Sequence, residues 1–262
     1  MNARFIGIAS EQLRLTWRDN WLAFRLSPEF CANNEALLRP IAVTPREVLC
    51  EAGQAPSHVY FPIDCGTVQL LELKTGASTE ISMTGCESLV NLELLFGASH
   101  SMWSTVVLNT GSVLRLPLKA VRDEFDSNAV FRAAVFASLQ FRLFQTGQMA
   151  VCYQQHSIEQ EICRWLLTAH DHIGGDVIHV THQAIGAQMG LRREAVTVAA
   201  LGLQNQHLIG NVRGSISIID RGGLERRACE CYHNIARERN RLRLKPAHSV
   251  PGPDQFRDAL TA

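Results

Sequence analysis

The sequence predicts an α+β chain in three parts: a β-roll, a long helix, and a helix-turn-helix followed by a two-stranded wing. Three observations predict it. Glycines at 53, 66, 76, 85, 97 and 111 punctuate short apolar segments across residues 37–118, the mark of regularly spaced turns in a compact barrel or roll. The period then changes. Val130, Ala134, Ala137, Phe141, Phe144, Gln148 and Val151 follow alternating steps of four and three, which is one narrow helical seam. Finally, residues 180–220 read as helix, tight turn, helix and a glycine-tipped ribbon.

Residues 1–122 form the first part. Trp17, Trp21 and Phe24 suggest a short helix ending before Pro28 and covering the first core. Strands are expected near 59–61, 68–73, 80–83, 105–108 and 113–116. Residues 123–155 form the second part. Their seam suits a partner helix, and a second copy of the chain is the simplest partner. Gln148 within the seam would set register, because a buried amide wants a mate. Phe131, Phe136 and Leu139 offer another sticky side that could lie on the chain's own roll.

Residues 156–245 form the third part. A helix over 156–173 turns Ile158, Ile162, Trp165 and Leu166 inward and stops at Gly174-Gly175. Thr181 can cap the next helix by accepting from a free backbone amide. Ile185 and Met189, four apart, share one face. Gly190 permits the positive φ that the corner needs. A second helix then begins at Arg192, with Val196, Ala200 and Leu203 on its buried side. Its first residues, Arg192, Arg193 and Glu194, lie where a recognition helix presents base-reading groups. Arginine can donate twice to guanine, and glutamate can accept from cytosine. The ribbon turns at Arg213-Gly214, and a final helix is expected over 223–244. Pro246, Pro251 and Pro253 mark a tail at 246–262 that is expected to be disordered.

These residues resemble the Crp/Fnr family of bacterial transcription regulators over about residues 30–245. The matching stretches are residues 156–160, residues 163–167, and residues 190–197 (Gly-Leu-Arg-Arg-Glu-Ala-Val-Thr). Leu208-Ile209, Arg213-Gly214, Ile218 and Asp220-Arg221 continue the match. A looser match covers Glu51, Gly53, residues 59–62, Gly66, Val68, Gly85 and Glu87. The resemblance implies a β-roll like a cyclic-nucleotide-binding domain, a dimerisation helix and a C-terminal winged helix. It implies DNA contacts from Thr181, Arg192, Arg193, Glu194, Thr197 and Arg213. It also implies a homodimer, with RNA polymerase a further partner if the protein activates transcription.

Two departures matter. Cyclic AMP is held in the family by an arginine followed by a small hydroxyl residue, because a buried phosphodiester needs an ionic partner. The corresponding place here falls near Ser101-Met102, and no lysine or arginine lies between Lys74 and Arg115. Glu87 could hold a ribose hydroxyl. Glu87 and Ser101 are the candidate effector contacts, and the effector itself is unknown. The family's third base-reading position, an arginine one turn beyond Glu194, is Val198.

Composition agrees with this reading. The 262 residues suffice for two domains, and 25 basic residues balance 25 acidic ones. Residues 1–155 hold 12 basic and 14 acidic residues, while 156–245 hold 12 and 9, so the second half is the better polyanion partner. No apolar run is long enough to cross a bilayer and no signal-peptide core opens the chain, so a cytoplasmic protein without membrane contact is expected.

The eight cysteines are scattered, as reduced thiols would be. No metal or cofactor is expected. His170, His172, His179 and His182 do not converge by spacing, and Cys229 and Cys231 read as helix packing. With Cys31 alone among the first 49 residues, an N-terminal iron–sulfur centre is not expected. No catalytic motif appears, and a non-enzyme is expected. The rival expectation is a small-ligand or cyclic-nucleotide sensing module with vestigial DNA binding.

Overall fold

The computed structural model describes residues 16–76 and 78–244. The expected tail at 246–262 lies outside the described residues, as does the start of the expected N-terminal helix. Trp17–Asp19 and Ala23–Arg25 form short 3-10 turns. These end before Pro28, and Pro28 itself opens a further helix, α1 (Pro28–Asn33), with Ser27 accepting from the Phe30 amide as its cap. Proline suits a first helical position because its missing N–H would be unpaired there anyway.

Seven strands follow: β1 (Ile41–Val43), β2 (Val48–Cys50), β3 (His58–Pro62), β4 (Thr67–Glu72), β5 (Ser78–Thr84), β6 (Ser104–Val107) and β7 (Gly111–Pro117). They form two antiparallel sheets, ordered β1-β7-β3 and β2-β6-β4-β5. The five expected strands correspond to β3 to β7. β1 and β2 have only three residues each, too few to show an alternating pattern. Val59 pairs with Leu116 and Phe61 with Leu114. These four residues are fully buried, and they share a core with Leu22, Phe30, Leu89, Leu92, Val121 and Phe125.

Helix α2 (Leu118–Ser127) leads into the 27-residue α3 (Ala129–Gln155), capped by Asn128. On the roll, α3 packs Phe131 and Val135 into the shared core and bonds through Ser138 and Arg142; Gln145, Met149 and Cys152 are buried further along the helix. Ser138 donates to Ser88 at 2.6 Å, and Arg142 donates to the Leu89 carbonyl at 2.8 Å. The second sticky side expected of this helix is used within the chain in part: Phe131 is fully buried and Leu139 partly buried against the roll core, while Phe136 is 47% exposed.

The third part comprises α4 (Ile158–His172), β8 (Val177–Ile178), α5 (His182–Met189), α6 (Arg193–Asn205), β9 (Ile209–Val212), β10 (Ser215–Ile218), α7 (Arg221–Arg227) and α8 (Glu230–Leu244). Ser157 and Gln160 make a reciprocal capping box at the start of α4. The expected single final helix is two: the chain breaks at Ala228, which is extended at φ −65°, ψ 151°.

The winged part is docked on the roll. Val68, Met83 and Leu108 of the roll share one continuous core with Ile162, Trp165, Leu166, Ile185, Val196 and Leu203. Polar contacts also link the two parts. The Trp165 indole donates to Glu80 at 2.7 Å. Glu87 meets His172 at the end of α4 at 3.1 Å, and Arg239 of α8, also at 3.1 Å. Burial pushes the Glu87 carboxyl upward, but His172 and Arg239 outweigh it and hold the group well below the usual carboxylate range.

Because that value is depressed, the resulting stabilisation is present above the unfolded value of ~4.3 and is lost as pH falls toward the folded one. Glu87→Gln leaves Arg239 and His172 without their carboxylate. It should cost ~3–5 kcal/mol and flatten the loss of stability below pH ~4. Urea unfolding over a pH series would read both effects, and an unchanged acid slope would contradict them.

Candidate nucleic-acid interface

The helix-turn-helix is built from local contacts that its sequence dictates. Thr181 accepts from the Ala184 amide at 3.1 Å and caps α5. Gly190 takes the left-handed conformation at φ +68° and ends α5. The chain then folds back, and the Leu191 amide reaches the Gly186 carbonyl at 2.8 Å. The close approach at Gly186 explains its identity. A Cβ there would stand 2.8 Å from the Leu191 carbonyl oxygen, a backbone atom that cannot swing aside. Val196, Ala200 and Leu203 seat α6 in the core.

This seating leaves the N-terminal end of α6 free. Arg192, Arg193 and Glu194 are exposed, and no side chain caps the helix. Its unpaired amides and dipole leave that end electropositive. Thr197 is half-buried; it donates to the Arg193 carbonyl at 2.9 Å and meets the His182 imidazole at 3.0 Å. Val198 is 72% exposed and Leu201 47%, so the outward face beyond the first turn is apolar.

The wing completes the surface. β8, β10 and β9 form a sheet in that order, with Val212 opposite Ser215 and Arg213-Gly214 at the exposed tip. A cleft of about 270 Å³ separates the wing from the helices, and its lining includes Thr181, His182, Arg193, Asn211 and Arg213. One arginine from α6 and one from the wing thus line the same cleft, together with residues that carry hydroxyl, imidazole and amide groups. The arrangement can hold a polyanion: arginine forks match phosphate oxygens and guanine edges. His182 and Asn211 were not among the sequence candidates. His182 lies one residue beyond the Thr181 cap, which was the available signal.

The seam residues of α3 are distributed over more than one environment. Val130, Ala134 and Ala137 are half-buried, and Phe141 is buried within the protomer. Gln148 accepts from Asn234 of α8 at 3.3 Å. Phe144 is 36% exposed and Val151 50%. Phe136, Leu143 and Ala150, seven apart, are also exposed, and sequence periodicity did not single them out together. The two effector candidates are internal. Ser101 donates to the Trp103 carbonyl at 2.9 Å, and Glu87 is taken up by His172 and Arg239.

Residues 160–227 match the Crp-like helix-turn-helix domain. The chain has the architecture of a Crp/Fnr-type regulator. Among solved structures, it is similar to TTHB099, a transcriptional regulator of the CRP family from Thermus thermophilus. That match has 17% identity over 72% of this chain and 96% of that one, with a TM-score of 0.60. It is also similar to FixK2 from Bradyrhizobium japonicum, at 14% identity over 72% and 96% of the two chains and a TM-score of 0.61. The c-di-GMP-responsive global regulator CLP from Xanthomonas campestris matches at 15% identity over 73% and 99%, with a TM-score of 0.55. No curated protein matches the sequence. At these identities the structures share a fold, and the Crp-like domain assigns the helix-turn-helix. Among the described residues, no helix is long and apolar enough to cross a membrane.

Within the Crp-like domain, Gly186→Ala should destabilise by ~1–3 kcal/mol, since the added methyl overpacks a turn that cannot relax. Thermal or urea unfolding would measure it, and a neutral result would mean that the turn is looser than its geometry implies.

Proposed function

We propose that the protein is a sequence-specific transcription regulator that binds a pseudo-palindromic operator as a homodimer and is not controlled by cyclic AMP. The observation that carries the reading is the free, uncapped end of α6. Arg193 and Glu194 project from it, and Arg213 faces it across the wing cleft. Arg193 and Glu194 read base edges in the major groove. Arg192, Thr197 and Arg213 hold phosphates or add a base contact, and the Thr181 end of α5 meets the backbone. With Val198 in the third reading position, a base is met there by an apolar side chain, which suits a thymine methyl.

The dimer reading rests on α3. Its roll face is satisfied within the chain, yet Phe136, Leu143, Phe144, Ala150 and Val151 remain exposed along the same helix. An apolar stripe of this length facing water is covered by something, and a twofold partner places two α6 helices in successive grooves, about 34 Å apart. Independence from cyclic AMP is supported by the polar groups of the roll. Arg142, a buried guanidinium beside the roll interior, is engaged with Leu89, Ser88 and Glu93, and Glu87 is committed to the joint with α4 and α8. RNA polymerase becomes a partner where the protein activates.

Gel shifts on operator variants test the DNA reading. Arg193→Ala should weaken operator binding by ~1–3 kcal/mol and relax preference at one base pair. Arg213→Ala should weaken all sequences alike and reduce the salt slope by about one. Unchanged selectivity in the first variant would overturn the assignment. Leu143, 73% exposed, tests the dimer separately. Leu143→Glu should leave folding intact and shift sedimentation from dimer to monomer, whereas a persistent dimer would place the interface elsewhere.

A further inference from the structure

The last turn of α3 and the break between α7 and α8 bring four metal-binding side chains together. Cys152, His156, Cys229 and Cys231 each offer one ligand atom, and these atoms all lie within 4.8 Å of one another. The Cys152 and Cys229 sulfurs are 3.6 Å apart, and the Cys231 sulfur is 3.7 Å from His156 Nδ1. A tetrahedral zinc with ~2.3 Å bonds to sulfur has ligand–ligand edges of ~3.8 Å. The sulfurs are too far apart for a disulfide, whose bond is ~2.05 Å. All eight cysteines of the chain are free.

Two surrounding features fit a metal. His156 turns its other nitrogen, Nε2, to Glu230 at 3.3 Å. That contact fixes the tautomer that leaves Nδ1 free to coordinate, as a carboxylate commonly does for a zinc-bound histidine. Arg164 is buried, and its Nε and Nη2 have no hydrogen-bond partner. Its charge acts on Cys152, and a guanidinium there balances the net negative charge of three thiolates and one imidazole around a divalent ion.

We propose that Cys152, His156, Cys229 and Cys231 form a closed tetrahedral site for a structural zinc ion, which staples the end of α3 to the start of α8. Soft thiolate donors with one imidazole select zinc over hard cations. All four positions are filled by protein, so the site is structural and leaves no open position for catalysis. Cys229 lies in the break before α8 and Cys231 within α8, so the two are not held to the ~200° separation of alternate residues in one helix. The staple also fixes where α8 lies along α3, and therefore how much of the α3 seam α8 covers through Asn234, Glu238 and Leu242.

The test is the metal content of the full chain, prepared anaerobically with a reductant from zinc-supplemented medium. Mass spectrometry should find about one zinc per chain. Replacement by cobalt should give the intense visible bands of a tetrahedral thiolate complex. The double variant Cys229→Ser, Cys231→Ser should bind no zinc. Glu230→Gln, at an exposed position that folding does not require, should weaken zinc binding about 10- to 100-fold in a chelator competition. The proposal is overturned if the wild-type chain holds no zinc and gains none on reconstitution. Iron with inorganic sulfide at these cysteines, or a Cys152–Cys229 disulfide in the reduced preparation, would overturn it equally.

Discussion

The rest of the structure depends on the buried joint between the roll and the winged part. An apolar core runs from Val68, Met83 and Leu108 of the roll into Trp165, Leu166 and Ile185 without interruption. Polar groups inside such a core are costly unless paired. Glu80 is paired with the Trp165 indole and lies within reach of the Arg164 charge, although burial still raises its carboxyl above the usual range. Glu87 is paired twice, with His172 and Arg239. These contacts make the orientation of α6 a property of the whole chain. A change in the roll that displaces β5 or the turn carrying Glu87 must move α4, and α4 carries α6 with it through the shared core.

Helix α3 is the second organising element, because it has more apolar surface than one partner can cover. Phe131 and Val135 are buried against the roll, while Leu143, Phe144 and Val151 are open. Between these faces, α8 lies along the helix and takes Gln148 as a hydrogen-bond partner. The same helix therefore serves the roll, α8 and a surface still to be filled. The cluster of cysteines at its end governs the balance between the last two, since it determines where α8 begins.

Much of the architecture was legible in the residues themselves. Thr181 and Gly190 announce the helix-turn-helix because each satisfies a local requirement: a cap and a left-handed corner. The strands β3 to β7 are visible because glycines punctuate their short apolar runs. By contrast, β1 and β2 are too short for a period, and Pro28 reads equally well as a stop or a first helical residue. The broken final helix was hidden because nothing in the Ala228-Cys229 dipeptide forbids a helix, and the break is imposed by packing.

Local chemistry thus determined the elements, the free Arg-Arg-Glu end of α6 and the division into roll, long helix and winged part, since caps, turns and periodicity act over a few residues. Only the tertiary structure decided which face of α3 the protein uses for itself, that Glu87 braces two parts of the chain, and that cysteines 77 residues apart in sequence meet. Contacts of that kind depend on where distant segments dock, and no pattern within either segment encodes the distance between them.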